Sequence, residues 1–374
     1  MTAPPPAPSA ASACTGRTIL VTPGADKGLF ADGATLGAGP GDTLLVRASL
    51  GPWSYVSLNN FHGTAACPIT VRNEGGQVRM SAGFALQNSS HVRVTGTGSP
   101  DTYGFRIDSG DKTGAGVSIF GRSRSVEVDH VQVLNKMYGF WIKEEASCDP
   151  ALQYPNWVLD DMRIHHNHID GIGQSGMYLG STDPNGGRSI ICAGVATSPW
   201  PLRLGNFQIH DNRVENTNRT GIQLSGAEFG ANAIHDNIIR RTGLELNNQQ
   251  GSGIALGGYT RAEVLNNTIE DSYNAGILVL GAGPVTVRGN TIRNSGQVAG
   301  HTAPGMAGIM VDVRPTTPFT RLQLTLRNNT IGANTDAGVR VYRSFDGYAA
   351  TNVICHNTGT QLIDANVSWT SVCP

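Results

Sequence analysis

Lys143, Glu144 and Glu145 form the group of residues best suited to acid–base chemistry in this sequence of 374 residues. Lysine is rare here and occurs elsewhere only at positions 27, 112 and 136. An ammonium group can neutralise an anionic substrate, and carboxylates can transfer protons or bind Ca²⁺ through their oxygens. We therefore treat all three as candidate catalytic residues, with Ca²⁺ as the one candidate cofactor and its ligands unassigned.

Aromatic and polar residues elsewhere in the sequence could bind a sugar. An aromatic ring packs on the C–H face of a sugar, while arginine, glutamine and aspartate side chains meet its hydroxyl and carboxylate groups. The candidate binding residues are Arg106, Asp108, Trp141, Asp183, Arg219 and Gln223. Two further catalytic candidates are Tyr178, as an acid for a leaving oxygen, and Glu228, as a carboxylate for hydrolysis.

The elements that would position these residues belong to a repeat. The pattern aliphatic-x-x-Asn, usually followed by x-Ile, recurs with its asparagines at Asn167, Asn212, Asn237, Asn267, Asn290, Asn329 and Asn357. Successive asparagines are separated by 45, 25, 30, 23, 39 and 28 residues. The shortest separation gives the length of a bare repeat, and the longer ones indicate insertions.

A second motif, Gly-aliphatic-x-aliphatic, alternates with the first. It begins at Gly139, Gly176, Gly221, Gly253, Gly276, Gly308 and Gly338. Both motifs alternate with period two, which predicts short strands with one buried face. No amphipathic helix fits between copies, and neither the leucine spacing of a leucine-rich repeat nor the longer period of a propeller is present. The sequence therefore predicts an all-β, right-handed parallel β-helix, whose inward asparagines stack from coil to coil and satisfy turn backbone groups.

Alternation also predicts which residues face outward from the Gly-motif strands. The first outward column is expected to contain Arg106, Ser118, Trp141, Tyr178, Gln223, Ala255, Leu278, Met310 and Arg340. The second is expected to contain Asp108, Phe120, Lys143, Gly180, Ser225, Gly257, Leu280, Asp312 and Tyr342. Two long insertions, residues 143–157 and 181–201, flank the polar part of this face and predict a groove beside them.

The combined "IHDN…GIxL" pattern resembles the β-helix repeats of the pectate-lyase-like superfamily. The stretch "GDTLLVRAS…FHGTAACPITVRNEGGQVRM" from Gly41 is similar to the first coils of the alginate-lyase and chondroitinase-B type. This resemblance implies a polysaccharide lyase that cleaves a uronate-containing glycan by β-elimination, with a lysine base, an arginine acid and calcium held by acidic residues. Glycoside hydrolases and fructotransferases with paired carboxylates remain alternatives, as does a non-catalytic carbohydrate-binding or adhesin solenoid.

Three histidines occupy one position of successive repeats: His165, His210 and His235. They precede His166, Asp211 and Asp236, so a shared metal is conceivable on spacing alone. We interpret them instead as a polar surface ladder, because no long insertions flank them.

The N-terminus and the cysteines together predict export. Residues 1–13 read as a flexible Pro/Ala/Ser tail from which we expect a signal peptide to have been removed, and residues 14–374 as one β-helix domain. The expected disulfides, which suit a secreted or extracytoplasmic protein, are Cys14–Cys67, Cys148–Cys192 and Cys355–Cys373. A formal net charge of −1 and the absence of a long apolar run predict no nucleic acid or membrane partner, and we expect a monomer.

Overall fold

The computed structural model describes residues 14–182, 188–247, 249–281, 283–312, 323–342, 346–350, 353–355 and 362–363. The first part contains β1 (Thr18–Val21), β2 (Leu29–Asp32), α1 (Gly33–Leu36), β3 (Thr43–Arg47), β4 (Trp53–Asn59), β5 (Ile69–Glu74), β6 (Val78–Gln87), β7 (Ser90–Thr95), β8 (Phe105–Asp108), β9 (Ala115–Phe120) and β10 (Arg124–Asp129). The middle part contains β11 (Val131–Leu134), β12 (Tyr138–Ile142), β13 (Val158–His165), β14 (His168–Ile172), β15 (Met177–Leu179), β16 (Ile190–Cys192), β17 (Val195–Thr197), β18 (Arg203–His210), β19 (Arg213–Thr217), β20 (Ile222–Leu224) and β21 (Ala227–Phe229). Single 3₁₀ turns lie at Ala48–Leu50 and Pro150–Leu152.

The last part continues the same pattern with short strands. It contains β22 (Ala233–His235), β23 (Ile238–Thr242), β24 (Ile254–Leu256), β25 (Ala262–Leu265), β26 (Thr268–Ser272), β27 (Ile277–Val279), β28 (Pro284–Arg288), β29 (Thr291–Arg293), β30 (Gln297–Val298), β31 (His301–Thr302), β32 (Ile309–Val311), β33 (Gln323–Arg327), β34 (Thr330–Gly332), β35 (Val339–Val341), β36 (Asp346–Ala350), β37 (Val353–Cys355) and β38 (Leu362–Ile363). No helix in the described ranges is both long and apolar enough to cross a lipid bilayer.

Three parallel strand series run along the molecule, one strand of each per coil. The first series is β1-β3-β5-β7-β10-β13-β18-β22-β25-β28-β33-β36. The second series is β8-β11-β14-β19-β23-β26-β29-β34-β37, and the third is β9-β12-β15-β20-β24-β27-β32-β35-β38. In the early coils β2, β4 and β6 pair in turn, and β6 then pairs with both β8 and β9. The chain is therefore a right-handed parallel β-helix, as the repeats predicted.

The asparagine ladder lies at the turn between the first and second series. Its described members are almost fully buried: Asn167, Asn212, Asn237, Asn267, Asn290 and Asn329. The Asn212 side-chain amide donates to the Ile164 carbonyl at 2.8 Å and to the Asn237 Oδ1 at 3.0 Å. The same Asn237 oxygen accepts the Asn212 backbone N–H at 3.0 Å. The inward, stacked position predicted for these asparagines is confirmed, while Asn357 lies outside the described residues.

The glycine of the second motif is needed because successive coils approach closely where the third series begins. A Cβ added at Gly221 would lie 2.6 Å from the Gly253 carbonyl oxygen and 2.7 Å from the Ile239 methyl group. A Cβ at Gly176 would lie 2.6 Å from the Gly221 oxygen. Any larger residue would push these coils apart, so the recurring glycine reflects packing between coils rather than a turn conformation.

The two insertions pack on each other at one side of the solenoid. Cys148 and Cys192 are disulfide-bonded with their Cα atoms 5.5 Å apart, and Cys14 and Cys67 are bonded near the first coil. These two predicted pairs are confirmed, whereas the predicted Cys355–Cys373 pair falls outside the residues whose side chains are described. The Cys148–Cys192 bond ties the segment after β12 to the β16–β17 hairpin.

The register corrects one part of the predicted columns. Trp141 pairs with Ser118 and Tyr178, and Tyr178 pairs with Gln223, so the third-series column is as predicted. Arg106, however, pairs with Gln132, which places β8 and hence Asp108 in the second series. The prediction that Arg106 and Asp108 share the Trp141 face was wrong, because alternation gives the side of a strand but not the series to which it belongs.

Candidate functional site

Three aromatic side chains form a wall on the outer face of the third series. Tyr138 and Trp141 lie on β12, and Tyr178 lies on β15 one coil further along. The Trp141 ring is 4.9 Å from the Tyr178 ring in an edge-to-face arrangement and 4.5 Å from the Tyr138 ring. Such rings offer a sugar both C–H contacts and, at the tyrosines, a hydroxyl group.

Lys143 lies at the base of this wall. Its ammonium nitrogen is 4.8 Å from the centre of the Trp141 ring and 4.7 Å from that of Tyr178. It also forms an ion pair with Glu145 Oε1 at 3.0 Å, and only 8% of its side chain is exposed. Cation–π contacts and the carboxylate together fix the ammonium beside the Tyr178 ring.

Glu144 and Glu145, although adjacent, occupy different environments. Glu145 is largely exposed and pairs with Lys143, whereas Glu144 accepts a hydrogen bond from the Gly121 N–H at 2.6 Å. Burial raises the pKa of Glu144, and the Glu145 carboxylate raises it further against the opposing effect of the Gly121 hydrogen bond. The protonated form of Glu144 is therefore favoured relative to an ordinary glutamate.

Two adjoining cavities lie beside the wall and share Tyr178 and Thr182 in their linings. The smaller, of about 130 Å³, is lined by Lys143, Glu144 and Glu145 together with Arg188. The larger, of about 750 Å³, is the groove proper and continues along the third series; its polar lining includes Tyr138, Gln174, Thr182, Arg219, Gln223 and Ser225.

Hydrogen bonds orient the polar residues of the groove. Tyr178 OH lies 2.6 Å from Thr182 Oγ1, and the Gln223 amide donates to the same oxygen at 3.3 Å. Tyr138 OH donates to Gln174 Oε1 at 2.7 Å, and burial followed by the neighbouring Tyr178 raises the Tyr138 pKa. Tyr138 therefore remains a phenol at neutral pH.

Arg219 brings a guanidinium to the groove lining. It donates to Glu245 Oε2 at 2.9 Å, and its side chain is 29% exposed. In the next coils the lining becomes largely apolar, with Ala255, Leu278, Leu280 and Met310, while Asp312 and Tyr342 line its far end. The predicted change from polar to apolar chemistry along this face is present.

Three candidate residues are not brought to this groove. Arg106 and Asp108 pair with each other at 3.1 Å and line a separate cavity beside the first coils. Glu228 lies on β21, which pairs with β18 of the first series. Asp183 lies outside the described residues.

Glu228 packs beneath the insertions, against a buried arginine. Its carboxylate lies 3.4 Å from the fully buried Arg203, whose guanidinium is 4.0 Å from the Tyr259 ring and 5.0 Å from that of Tyr154. Burial raises the pKa of Glu228 although Arg203 opposes this effect. These contacts support a role for Glu228 in holding the insertions on the solenoid.

Several lining residues were missed from the sequence, among them Tyr138, Gln174, Thr182 and Arg188. Tyr138 directly precedes a motif glycine, and a rule that included this position would have identified it. Gln174 precedes Gly176 by two residues, which is a weaker signal. Thr182 and Arg188 lie in an insertion, where no periodicity could assign them.

Calcium fits the described lining of the small cavity poorly. Ca²⁺ takes six to eight oxygen ligands, whereas Glu145 is paired with Lys143 and Glu144 accepts the Gly121 N–H. Two cations, Lys143 and Arg188, share the cavity with these two carboxylates. No catalytic step is therefore assigned to calcium.

Comparisons with known proteins support the fold. A family model described as "right handed beta helix region" matches residues 205–365. A comparison with curated proteins gave no match.

Several solved structures resemble the chain at low identity. The catalytic unit of a GH87 α-1,3-glucanase from Streptomyces thermodiastaticus is 16% identical with a TM-score of 0.47, over 95% of this chain and 64% of that one. The A-module of the Azotobacter vinelandii mannuronan C-5 epimerase AlgE4 is 13% identical with a TM-score of 0.45, over 91% and 92%. An alginate lyase from Paenibacillus sp. strain FPU-7 is 13% identical with a TM-score of 0.36, over 95% and 98%. At these values, function has to be argued from the groove itself.

Proposed function

We propose that this chain is an extracytoplasmic polysaccharide-modifying enzyme, and specifically a polysaccharide lyase that cleaves a uronate-containing glycan by β-elimination. The observation that carries the proposal is the Lys143 ammonium, held between Glu145 and the rings of Trp141 and Tyr178 at the end of a polar groove. The two disulfides support a location outside the reducing cytoplasm.

Substrate binding follows from the groove lining. The Trp141 and Tyr138 rings would pack on the apolar face of a sugar, and Gln223 would meet its hydroxyl groups. Arg219 would pair with the uronate carboxylate. Neutralising that carboxylate makes the neighbouring carbon more acidic, which is the first requirement of β-elimination.

Proton transfer is assigned to Lys143, Glu145 and Tyr178. The Lys143 ammonium passes a proton to Glu145, and the resulting amine takes the proton from the carbon beside the uronate carboxylate. The electron pair forms the new double bond as the bond to the glycosidic oxygen breaks, and the Tyr178 hydroxyl protonates that oxygen. Return of the Glu145 proton to the Tyr178 phenolate through Lys143 restores the starting state.

A glycoside hydrolase is the second candidate, favoured by the contrast between Glu144 and Glu145. A carboxyl group with a raised pKa beside a second carboxyl group is the arrangement of an acid and a base or nucleophile. In that case Glu144 would protonate the leaving oxygen and Glu145 would act on the sugar or on a water molecule.

The test is a panel of uronate-containing and neutral polysaccharides, with two readouts on the same reactions. A lyase produces both the ultraviolet absorbance of an unsaturated uronate end and a new reducing end, whereas a hydrolase produces only the reducing end. Neither signal on any substrate, with glycan binding retained, would leave a carbohydrate-binding solenoid and refute the enzyme.

The variants Lys143→Met and Tyr178→Phe then test the assigned roles. Each should lower turnover by at least about 10²-fold, the usual contribution of a positioned acid or base. Lys112→Met and Tyr273→Phe, which make the same changes at residues outside the groove lining, should keep full turnover. Full activity in both groove variants would refute the lyase mechanism. If the unmodified chain gives hydrolysis products and Glu144→Gln loses this activity, the hydrolase is selected.

A further inference from the structure

A cluster of histidine and aspartate side chains lies at the turn between the first and second series, away from the third-series groove. The rings of His165, His210 and His235 stack with centroid distances of 4.8 and 4.7 Å. Beside them, His130 stacks on His166 at 5.3 Å. The polar ladder predicted for His165, His210 and His235 is present. A second column of side chains runs beside it and consists of His130, His166, Asp211 and Asp236.

The asparagine ladder makes this second column rigid. Its four residues adopt left-handed backbone conformations with φ between 53° and 55°: His130, His166, Asp211 and Asp236. In three of these four coils the next residue is a buried ladder asparagine. Asn167 follows His166, Asn212 follows Asp211, and Asn237 follows Asp236. Each side chain therefore leaves the turn at a position set by the buried ladder.

Two groups of potential ligands occur in the described chain, and their surroundings differ. In the first, Glu127, Asp129 and His165 come together, but Asp129 is fully buried. Its carboxylate accepts hydrogen bonds from Arg93 at 2.8 Å and Thr95 at 2.6 Å. That group is already satisfied by a cation and a hydroxyl group.

In the second group, the ligand atoms of His166, His210 and Asp211 all lie within 4.8 Å of one another. His166 and Asp211 line an open cavity of about 330 Å³. The cation in that lining, Arg213, is paired with Glu215, so its charge is already compensated. His166 and Asp211 are exposed and His210 is partly buried, and their present contacts are with one another or with the neighbouring histidine: Asp211 Oδ2 lies 2.7 Å from His210 Nδ1, and His166 Nδ1 lies 2.9 Å from His165 Nδ1.

We propose that His166, His210 and Asp211 bind a late first-row divalent metal ion, with Zn²⁺ as the representative ligand. Imidazole nitrogen and carboxylate oxygen form the donor set that Zn²⁺ accepts, and three protein ligands leave one position for water. Convergence of three ligand atoms from two adjacent coils to within 4.8 Å of one another is the observation that carries this site. It is independent of the groove and of the function proposed for it.

The experiment uses untagged, chelator-treated protein, titrated calorimetrically with ZnCl₂ and separately with CaCl₂. One Zn²⁺ per chain is expected, with no Ca²⁺ binding at this oxygen-poor cluster. Titration with Co²⁺ should give a visible absorption spectrum with nitrogen and oxygen coordination.

Three variants test the ligands while preserving the turn. His166→Asn and Asp211→Asn place at left-handed positions a residue that tolerates this conformation, and His210→Ala removes the second imidazole. Each should weaken Zn²⁺ binding at least about 10- to 100-fold, the loss typical of disturbing even the outer partners of a metal site. His235→Ala is the matched control, because His235 stacks on His210 and contacts Asp236 at 2.7 Å but lies outside the cluster.

The results separate the outcomes cleanly. Retained binding in His235→Ala with loss in the three ligand variants supports the site. Absence of Zn²⁺ binding to the unmodified chain, or equal binding in all variants, overturns it. Circular dichroism of each variant identifies any that has lost the β-helix, and the remaining ligand variants then decide.

Discussion

Replacing Asn237 by alanine should destabilise the β-helix strongly, although it removes a single small side chain. The Asn237 amide donates to the Ile209 carbonyl at 2.9 Å, and its oxygen accepts the Asn212 N–H at 3.0 Å. Both partners are backbone groups at a buried turn. Leaving a buried polar group unpaired costs about 1–3 kcal/mol, so two such groups give about 2–6 kcal/mol.

Other contacts limit the loss to those two groups. The His235 carbonyl, which also accepts from the Asn237 amide at 2.9 Å, keeps the Asp211 backbone N–H at 3.4 Å. The Asn212 side-chain amide still donates to the Ile164 and His210 carbonyls, and the Asn267 oxygen still accepts the Asn237 backbone N–H. Asn237→Asp should also be destabilising, because a carboxylate cannot donate to the carbonyls that it would face.

The assay is urea unfolding followed by circular dichroism, with the slope of the transition compared between variants. Thr268→Ala is the matched control, since Thr268 directly follows the ladder residue Asn267 but forms the adjoining strand β26. It should change the free energy of unfolding by no more than about 0.5 kcal/mol. An unchanged transition in Asn237→Ala would refute the view that the ladder amides stabilise the turns.

Asn212→Ala combined with Asn237→Ala should lose less than the sum of the single changes, by about 0.5–3 kcal/mol, because the two side chains share hydrogen bonds; strict additivity in a double-mutant cycle would argue against a continuous ladder. Glu144→Gln should be more stable than the unmodified protein at neutral pH, because burial raises the folded-state pKa of Glu144. The folding stability of the unmodified protein therefore falls as pH rises from about 4.3, the ordinary glutamate pKa, through the raised folded-state pKa. Urea midpoints measured across pH should show this difference opening with rising pH and closing in acid, and a difference that grows in acid would contradict it. Treatment with EDTA should leave turnover unchanged, because Glu145 is paired with Lys143; activity lost on chelation and restored by Ca²⁺ alone would instead show a calcium-dependent enzyme.

The fold was predictable because two packing constraints recur in every coil. A buried turn needs an amide that both donates and accepts, which selects asparagine at positions such as Asn212. A close approach of neighbouring backbones needs a residue without a side chain, which selects glycine at positions such as Gly221. Each constraint acts between neighbouring coils and recurs at one position of the repeat, so its residue can be identified from the repeat alone.

The aromatic and lysine part of the groove was predictable for the same reason. Trp141, Tyr178 and Gln223 stand at one position after successive motif glycines, and parallel pairing in register places them side by side. Lys143 follows directly after the end of β12, two residues after Trp141. Alternation along a strand and register between coils together determine this column.

Arg106 and Glu228 could not be assigned in this way, because their positions depend on how many strands precede them in their coil. Arg106 belongs to a strand beginning after Gly104, which imitates the second motif. The register shows that it pairs with Gln132 in the second series. Glu228 follows a third-series strand, yet β21 has already turned onto the first series and pairs with β18. The charge of a residue therefore identifies a candidate, whereas the strand series to which it belongs decides on which surface it lies.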